Sequence, residues 1–537
     1  NWSLILGNMY MKNKYSIITI AAVAFGLVSC DKFLDVMPDN RTELDSQEKI
    51  RALLVSAYPE TDYLLVSEFS SDNVDDFGTE NPNTDLFIDE VYAWKDVTDT
   101  DNEDPENIWQ SSYSAIAAAN QAIEAINNMA GPDAVGYEPE LAEALLCRAY
   151  SHFVLVNMFC QAYTEATADQ KLGVTYMSAP EQGLNPKYER ESVAQIYAKI
   201  DQDLQKALPL VSDSYYTVPK YHFNQKAAYA FATRFYLFYE KPEEAVKYAD
   251  ACLGSAPSTM LRDWRAQATM TQDDEVITNH FIDATLSANL LLITAYSKMG
   301  LCFTGPYSTY SKYAAGNYLA TNETGIALAT LLGKDNRSFF AVPMHIYQGS
   351  NHDKTTFWKL PYLFEFSDPV AQIGFYRTVY PAFTTDEVLL ERAEAKILLK
   401  EYDSAVADMN LWLSNISKTD WNLSAEEINN LMKDIPYSTA LASTVKKKLN
   451  APFLENPSEL QENMIHFCLL LKRVDSYAQG LRWFDVKRYG IEIQRRVMGA
   501  DGNPRTAGDV LKVDDERRAI QIPKKVVDAG YTPNPRN

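Results

Sequence analysis

Apolar residues recur three and four positions apart through the N-terminal half of the chain. The spacing runs through residues 109–126, 141–156 and 193–211, and it places the apolar side chains of each segment along one face of a helix. Ser192, followed three residues later by Gln195, adds a capping box at the start of the third segment. The pattern therefore predicts a mostly α-helical fold.

Two segments that lie far apart in the chain resemble each other. Residues 227–253 and 388–413 each read as a helix, a short break and a second helix that opens with an Ala-Val pair. This arrangement is similar to the helix–turn–helix pairs of tetratricopeptide repeats. Because one pair cannot bury its apolar face alone, pairs stack on their neighbours. We therefore expect tetratricopeptide-like helix pairs that form one large body.

The middle of the chain lacks this periodicity. Residues 253–381 are rich in Gly, Ser, Thr, Asn and aromatic residues, and an apolar run occurs at Leu290–Ala295. Turn-forming residues predict a loop over Gly305–Tyr313. Loops on a rigid scaffold usually carry function, so we expect this irregular, loop-rich segment to bind the ligand.

Helical spacing returns in the C-terminal part. Thr384 with Glu387 and Ser424 with Glu427 have capping-box spacing, and a mixed apolar and basic stripe runs over residues 467–489. From Ile520 onward the chain reads as extended and Pro-rich. We predict an upstream extension and signal over 1–30 and a single body over 31–537, divided into 31–252, 253–381 and 382–537.

The N-terminal residues resemble a bacterial lipoprotein signal. Lys12 and Lys14 precede an apolar core, and the segment closes on Leu27-Val28-Ser29-Cys30. The apolar core is too short for a membrane-spanning helix, which needs about 20 residues. We therefore expect lipid attachment at Cys30 and anchoring to a membrane through that lipid. Asn1–Tyr10 fits no signal design, and we interpret it as an upstream extension.

Charge and motifs exclude several functional classes. The net charge of −23 is opposite to that of a nucleic-acid-binding protein. Cys147 and Cys160 are predicted on one helix about 20 Å apart, too far for a disulfide. The sequence contains no CxxC pair, and we expect buried thiols and no cofactor. Hydrolase and phosphate-binding motifs are absent, although 72 acidic residues leave a glycoside hydrolase open as an alternative.

Several segments in order along the chain resemble the SusD/RagB family of outer-membrane nutrient-binding lipoproteins. They are residues 31–35 after Cys30, then 109–120, 146–150, 192–208, 391–395, the stretch Gly480-Leu481-Arg482-Trp483-Phe484-Asp485-Val486-Lys487-Arg488-Tyr489-Gly490, and the closing Ile522-Pro523 and Asn534-Pro535. The stretches at 160–163 and 475–479 and the tail depart from the family pattern.

The resemblance implies a cell-surface lipoprotein that acts as a lid on a SusC-type TonB-dependent barrel in the outer membrane. Such a protein would bind a glycan or oligosaccharide and deliver it for import, without catalysis. A peptide-binding or purely structural lid is an alternative, and a glycoside hydrolase on the same scaffold is another.

Aromatic residues near polar side chains are the expected sugar contacts, because sugar rings present flat C–H faces. The family places such sites on loops after the first helix and in the middle segment. The ligand-binding candidates are Asp72, Asn73, Asp76, Tyr92, Trp94, Trp264, Tyr307, Tyr310, Tyr313, Tyr318, Trp358 and Tyr362. With 33 Tyr, 23 Phe and 8 Trp, most aromatic residues of the chain belong to the core.

Charged residues elsewhere suggest structure more than chemistry. Arg482, Asp485 and Arg488 beside Trp483 are expected to form internal ion pairs. The acidic run at 96–106 contains the calcium candidates Asp99, Asp101 and Glu103, but it lacks the glycine of an EF-hand loop, which favours a solvated loop. His345 and His352 could form a metal pair or be two unpaired surface histidines.

Overall fold

The helices predicted from periodicity form where the pattern places them. The computed structural model describes residues 44–181, 187–347, 353–356 and 358–536. The elements up to residue 253 are α1 (Gln47–Leu54), α2 (Leu64–Ser70), β1 (Asp75–Asp76), α3 (Leu86–Tyr92), α4 (Pro105–Ala130), α5 (Glu138–Phe159), α6 (Val193–Ala207), α7 (Gln225–Phe238) and α8 (Pro242–Leu253). The predicted capping box of Ser192 and Gln195 is confirmed at the start of α6.

The middle segment contains short helices and most of the strands. Its elements are α9 (Trp264–Gln267), α10 (Asp274–Phe281), β2 (Asn289–Tyr296), α11 (Met299–Phe303), β3 (Tyr313–Ala314), α12 (Asn317–Glu323), α13 (Gly325–Leu331), α14 (Asn336–Phe339), β4 (His345–Tyr347), β5 (Lys354–Thr356), β6 (Leu363–Asp368) and β7 (Ile373–Thr384). β2, β7 and β6 form an antiparallel sheet in that order. Most of the apolar run at 290–295 is buried in β2, where residues on both faces of the strand are covered and Thr294 is exposed.

The C-terminal part is helical with one added hairpin. Its elements are α15 (Thr385–Leu398), α16 (Tyr402–Ile416), α17 (Ala425–Met432), α18 (Glu459–Asp475), α19 (Arg482–Arg488), β8 (Ile493–Met498), β9 (Pro504–Leu511) and α20 (Lys524–Asp528). The stripe at 467–489 belongs to two helices, because Ala478 and Gly480 adopt positive φ between them. A Cβ on Gly480 would lie 2.9 Å from the Leu64 Cα, so glycine permits the close approach of α2. The tail predicted as extended includes α20.

The two predicted repeats fold alike. The turn between α7 and α8 has Glu240 at φ 57°, and the turn between α15 and α16 has Lys400 at φ 63°. Helix α8 packs directly on α15, so the middle segment is an insertion between two neighbouring helices of the stack. An ion pair of Arg392 with Asp250 at 2.8 Å joins the two repeats. The mostly helical fold with tetratricopeptide-like pairs is confirmed.

Buried charges hold the C-terminal helices together. Glu394 on α15 accepts hydrogen bonds from Lys472 at 2.6 Å, Arg488 at 2.8 Å and Tyr489 at 2.6 Å. Burial raises the pKa of Glu394, but Arg488 and Lys472 lower it more strongly, to about 2. Asp485 accepts from the same two cations. The predicted structural role of the α19 charges is therefore confirmed.

The cysteines are buried thiols, as expected. Cys147, Cys160, Cys252, Cys302 and Cys468 are free and buried. Burial raises the pKa of the Cys302 and Cys468 thiols, which keeps them in the unreactive protonated form. They act as small apolar residues of the core.

Candidate functional site

Two predicted polar ligands are part of the framework. Asp72 is buried, and its carboxylate accepts two hydrogen bonds from Arg482, at 2.8 and 2.9 Å. Burial raises the pKa of Asp72, but Arg473 and Arg482 outweigh it and hold the pKa well below its ordinary value. Asn73 accepts a hydrogen bond from Arg473 and donates one to Glu68, each at 2.8 Å. Both side chains tie α2 to the C-terminal helices.

Three predicted aromatic contacts are also internal. The guanidinium of Arg495 lies 3.9 Å from the ring centre of Tyr92 and 4.1 Å from that of Trp94. The ring of Tyr313 stacks on Tyr92 with centroids 4.0 Å apart. The indole N–H of Trp94 donates to the carbonyl of Ser70 at 2.8 Å. With both faces and polar atoms occupied, these rings stabilise the junction between the middle segment and the termini.

Four further candidates contact different parts of the protein. They are Asp76, Trp264, Tyr310 and Tyr318. Trp264 is buried near Phe281, with ring centroids 6.4 Å apart. The Asp76 carboxylate accepts a hydrogen bond from the backbone amide of Gly78 at 2.7 Å, and burial raises the pKa of Asp76. Tyr310 is exposed, whereas Tyr318 is half-buried with the Arg496 guanidinium 5.1 Å from its ring centre.

The acidic run at 96–106 is held by a lysine. Lys298 pairs with Asp101, and its backbone amide donates to Glu103 at 2.7 Å. Burial and the nearby Asp62 raise the pKa of Glu103 well above its ordinary value, which makes it a poor calcium ligand. In the part of the chain that the structure describes, no group of three or more His, Cys, Asp or Glu side chains could hold a metal ion, and Asp99, Asp101 and Glu103 are no exception.

Cys30 and His352 lie outside the described residues.

His345 on β4 stacks face to face on Trp358, with centroids 3.7 Å apart and planes at 12°. Burial lowers the pKa of His345, so the imidazole is neutral at pH 7. In this stack each ring covers one face of the other, and both residues are half-buried.

Tyr362 provides an exposed ring next to a glycine-containing turn. Its side chain is 40% exposed. A Cβ on Gly305 would lie 2.8 Å from the Tyr362 ring, and a Cβ on Gly300 would lie 2.4 Å from the carbonyl oxygen of Pro361. Glycine at both positions lets the strand leading into β6 lie directly on the turn that carries Tyr307. Three predicted residues, Tyr307, Trp358 and Tyr362, thus occur in one part of the middle segment.

The β6–β7 hairpin extends this aromatic region. Phe364 lies opposite Tyr376, and Phe366 lies opposite Gly374. The Phe364 ring centroid is 4.9 Å from that of Phe366 and 5.0 Å from that of Tyr376. Phe364 and Phe366 are 40% and 46% exposed. A Cβ on Gly374 would lie 2.8 Å from the Phe364 ring, so the glycine leaves room for that ring to lie across the strand.

Tyr376 connects the hairpin to the rest of the region. Burial raises the pKa of Tyr307 to about 12 and also raises the pKa of Tyr362. The nearby Tyr376 hydroxyl adds a smaller contribution to both. We call these residues together the aromatic surface: Tyr307, Trp358, Tyr362, Phe364, Phe366 and Tyr376. The hairpin residues were not among those predicted from the sequence, because the alternation Phe364-Glu365-Phe366-Ser367 does not show whether the apolar face of a strand is buried or exposed.

Carboxylates supply polar groups beside the aromatic surface. Burial raises the pKa of Tyr362, and the next contributions come from Asp274, Glu275 and Asp273 at the start of α10. Asp273 caps the helix through the amides of Glu275 and Val276. Such a combination of exposed rings and hydrogen-bond acceptors can stack on the C–H faces of sugars and bind their hydroxyl groups.

A groove of about 820 Å³ lies elsewhere, between residues 94–106 and 517–536. Ion pairs of Lys525 with Glu106 at 2.6 Å and of Arg536 with Asp96 at 2.8 Å join its two sides. Trp94 is the aromatic residue in its described lining, and only 5% of that side chain is exposed. The groove therefore offers less for stacking than the aromatic surface does.

Comparison with known proteins shows which fold this chain shares and which family model matches its N-terminal part. The SusD-like family described as "starch-binding associating with outer membrane" matches residues 32–237. A structure from Bacteroides vulgatus ATCC 8482 covers 92% of this chain and 99% of its own, with a TM-score of 0.64 and 17% identity. Residues 32–237 are thus similar to the SusD-like family, and the fold of the described chain is similar to that of the solved structure.

Other solved structures share the fold over their whole length. A SusD superfamily protein from Bacteroides thetaiotaomicron VPI-5482 covers 91% of this chain and 98% of its own, with a TM-score of 0.57 and 18% identity. A laminarin-binding SusD-like protein covers 92% and 100%, with a TM-score of 0.54 and 15% identity. No curated protein sequence matches the chain. Among the described helices of this SusD-like protein, none has both the length and the apolar character of a membrane span.

Proposed function

We propose that this SusD-like protein is a surface lipoprotein that captures a glycan or oligosaccharide and delivers it to a SusC-type TonB-dependent transporter. The observation that carries the proposal is the aromatic surface, which lies in a segment inserted between stacked helices and exposes the rings of Tyr362, Phe364 and Phe366. The family description of starch binding and outer-membrane association supports it, as does the laminarin-binding relative with the same fold.

Binding would depend on stacking and a few hydrogen bonds. Tyr362 and the Trp358–His345 pair offer ring faces, and Asp274 and Glu275 offer acceptors for sugar hydroxyl groups. Arg377, a cation on the same hairpin, forms an ion pair with Glu365. Ring faces and hydrogen-bond acceptors can hold a ligand, and we propose binding without catalysis.

The test is native affinity electrophoresis of residues 31–537, with Cys30 removed, in gels that contain a panel of neutral and acidic polysaccharides. We expect retardation by at least one polysaccharide and no new sugars when the incubation is chromatographed. Released oligosaccharides would establish a hydrolase instead. Unchanged mobility throughout the panel would contradict glycan capture and favour a peptide-binding or structural lid.

The lipid anchor has its own test. We expect the full-length chain, expressed in a bacterium with labelled palmitate, to take up the label and sediment with membranes. Cys30→Ala should abolish both, because the thiol is the acceptor of the lipid. Ser29→Ala keeps a small residue before the cysteine and should retain the label. Label in the Cys30→Ala variant would exclude lipidation at this position.

A further inference from the structure

The β6–β7 hairpin concentrates exposed apolar side chains. Leu363, Phe364, Phe366, Val370 and Ile373 are each at least 40% exposed, and Val370 at the tip is 96% exposed. Exposed apolar side chains that cluster on a monomeric protein often mark a binding site. The geometry of the hairpin indicates which of its faces could serve as one.

The two faces of the hairpin differ. Residues paired across the strands share a face, so Phe364, Phe366 and Tyr376 lie together, whereas Phe375 lies on the opposite face, paired with Glu365. The first face carries three rings that pack edge to face, with the Phe364 plane at 72° to that of Phe366 and at 74° to that of Tyr376. The second face carries the Arg377–Glu365 ion pair, and Phe375 packs against Tyr296 with centroids 5.7 Å apart.

The ring-bearing face continues from the site proposed for sugar binding. Tyr362 directly precedes β6, and the two-residue period of a strand places it on the same side as Phe364 and Phe366. Phe366 lies four residues beyond Tyr362, so the row extends about 14 Å along the strand. Gly374, opposite Phe366, adds no side chain to this face.

We propose that this face of the hairpin is an extension of the glycan site that binds the outer part of a polysaccharide chain, so that the protein selects long chains over short ones. The proposal rests on the proposed function. A mono- or disaccharide would cover Tyr362 and the Trp358–His345 pair alone. A longer chain would also stack on Phe364 and Phe366, and each added contact would strengthen binding.

The experiment is isothermal titration calorimetry with size-fractionated malto-, laminari-, manno- and xylo-oligosaccharides, from disaccharide to octasaccharide. We expect the affinity for one series to rise with length by about tenfold or more, as expected for two further aromatic contacts. Phe364→Ala/Phe366→Ala should remove that rise, so that long members bind no more tightly than short ones. Phe375→Ala, on the opposite face, should retain the rise. All three positions are exposed, so the variants should fold.

The outcomes separate this inference from the proposed function. Equal affinity for short and long members would overturn the inference and leave glycan capture standing. A length-dependent rise that survives in Phe364→Ala/Phe366→Ala would also overturn it, since the hairpin would then serve another occupant such as a protein partner. Failure of every series to bind would overturn both.

Discussion

Replacing Glu394 by glutamine will lower the free energy of unfolding by about 3 kcal/mol or more at neutral pH, within the range for breaking a buried ion pair. Glu394 is fully buried and receives hydrogen bonds from Lys472, Arg488 and Tyr489. The amide is neutral and can accept fewer of these bonds, which leaves two buried cations to share Asp485. Urea denaturation followed by circular dichroism measures the change.

The matched control is Glu401→Gln. Glu401 is exposed at the start of α16 and has no side-chain capping bond, so its removal should change stability by less than about 0.5 kcal/mol. Equal effects of the two substitutions would contradict the structural role of Glu394.

Glu394 also makes the free energy of unfolding depend on pH in the acidic range. The pKa of Glu394 in the folded protein is about 2, below its ordinary value of 4.5. A lowered pKa contributes stability that is present above the ordinary value and is lost as the pH falls towards the folded value. The parent protein should therefore lose stability between about pH 4.5 and 2 more steeply than Glu394→Gln does.

Tyr362→Ala will weaken binding of the polysaccharide identified by affinity electrophoresis by about 30-fold, which corresponds to about 2 kcal/mol for a central aromatic contact. The ring is exposed, lies at the junction of the Tyr307 turn and β6, and is bordered by Asp274 and Glu275. Its removal takes away both a stacking face and a hydroxyl. Calorimetric titration gives the affinity.

Tyr221→Ala is the control for that substitution. Tyr221 is 39% exposed, close to the 40% of Tyr362, but it lies on a turn before α7. We expect this variant to bind as tightly as the parent protein. Comparable losses in both variants would indicate a general effect of removing surface tyrosines and would remove the support for the aromatic surface.

The helical body could be predicted because its determinants are local. The stripes in α4, α5 and α6 repeat every three to four residues, and the caps at Ser192 and Ser424 mark where helices begin. The charges of α19 were also predictable, because Arg and Asp on an apolar helix need internal partners. The partners could not be named from the sequence, because Glu394 lies 94 residues from Arg488 and Asp72 lies 410 residues from Arg482.

The site was only partly predictable because the exposure of a ring depends on distant residues. Trp94 and Tyr92 are flanked by turn and polar residues, as surface aromatics are, yet Arg495, some 400 positions later, fills the space between them. Conversely, Phe364 and Phe366 alternate with polar residues, as on a strand with one buried face, but β6 is an edge strand whose six residues are all exposed. Neither fact is encoded in a local pattern.

The most direct test of the account is a crystal structure of the protein with an oligosaccharide from the polysaccharide that it binds. We expect electron density for sugar rings over Tyr362 and the Trp358–His345 pair, with hydroxyl groups near Asp274 and further rings along Phe364 and Phe366. Sugar bound in the groove beside Trp94, with the aromatic surface unoccupied, would contradict the account.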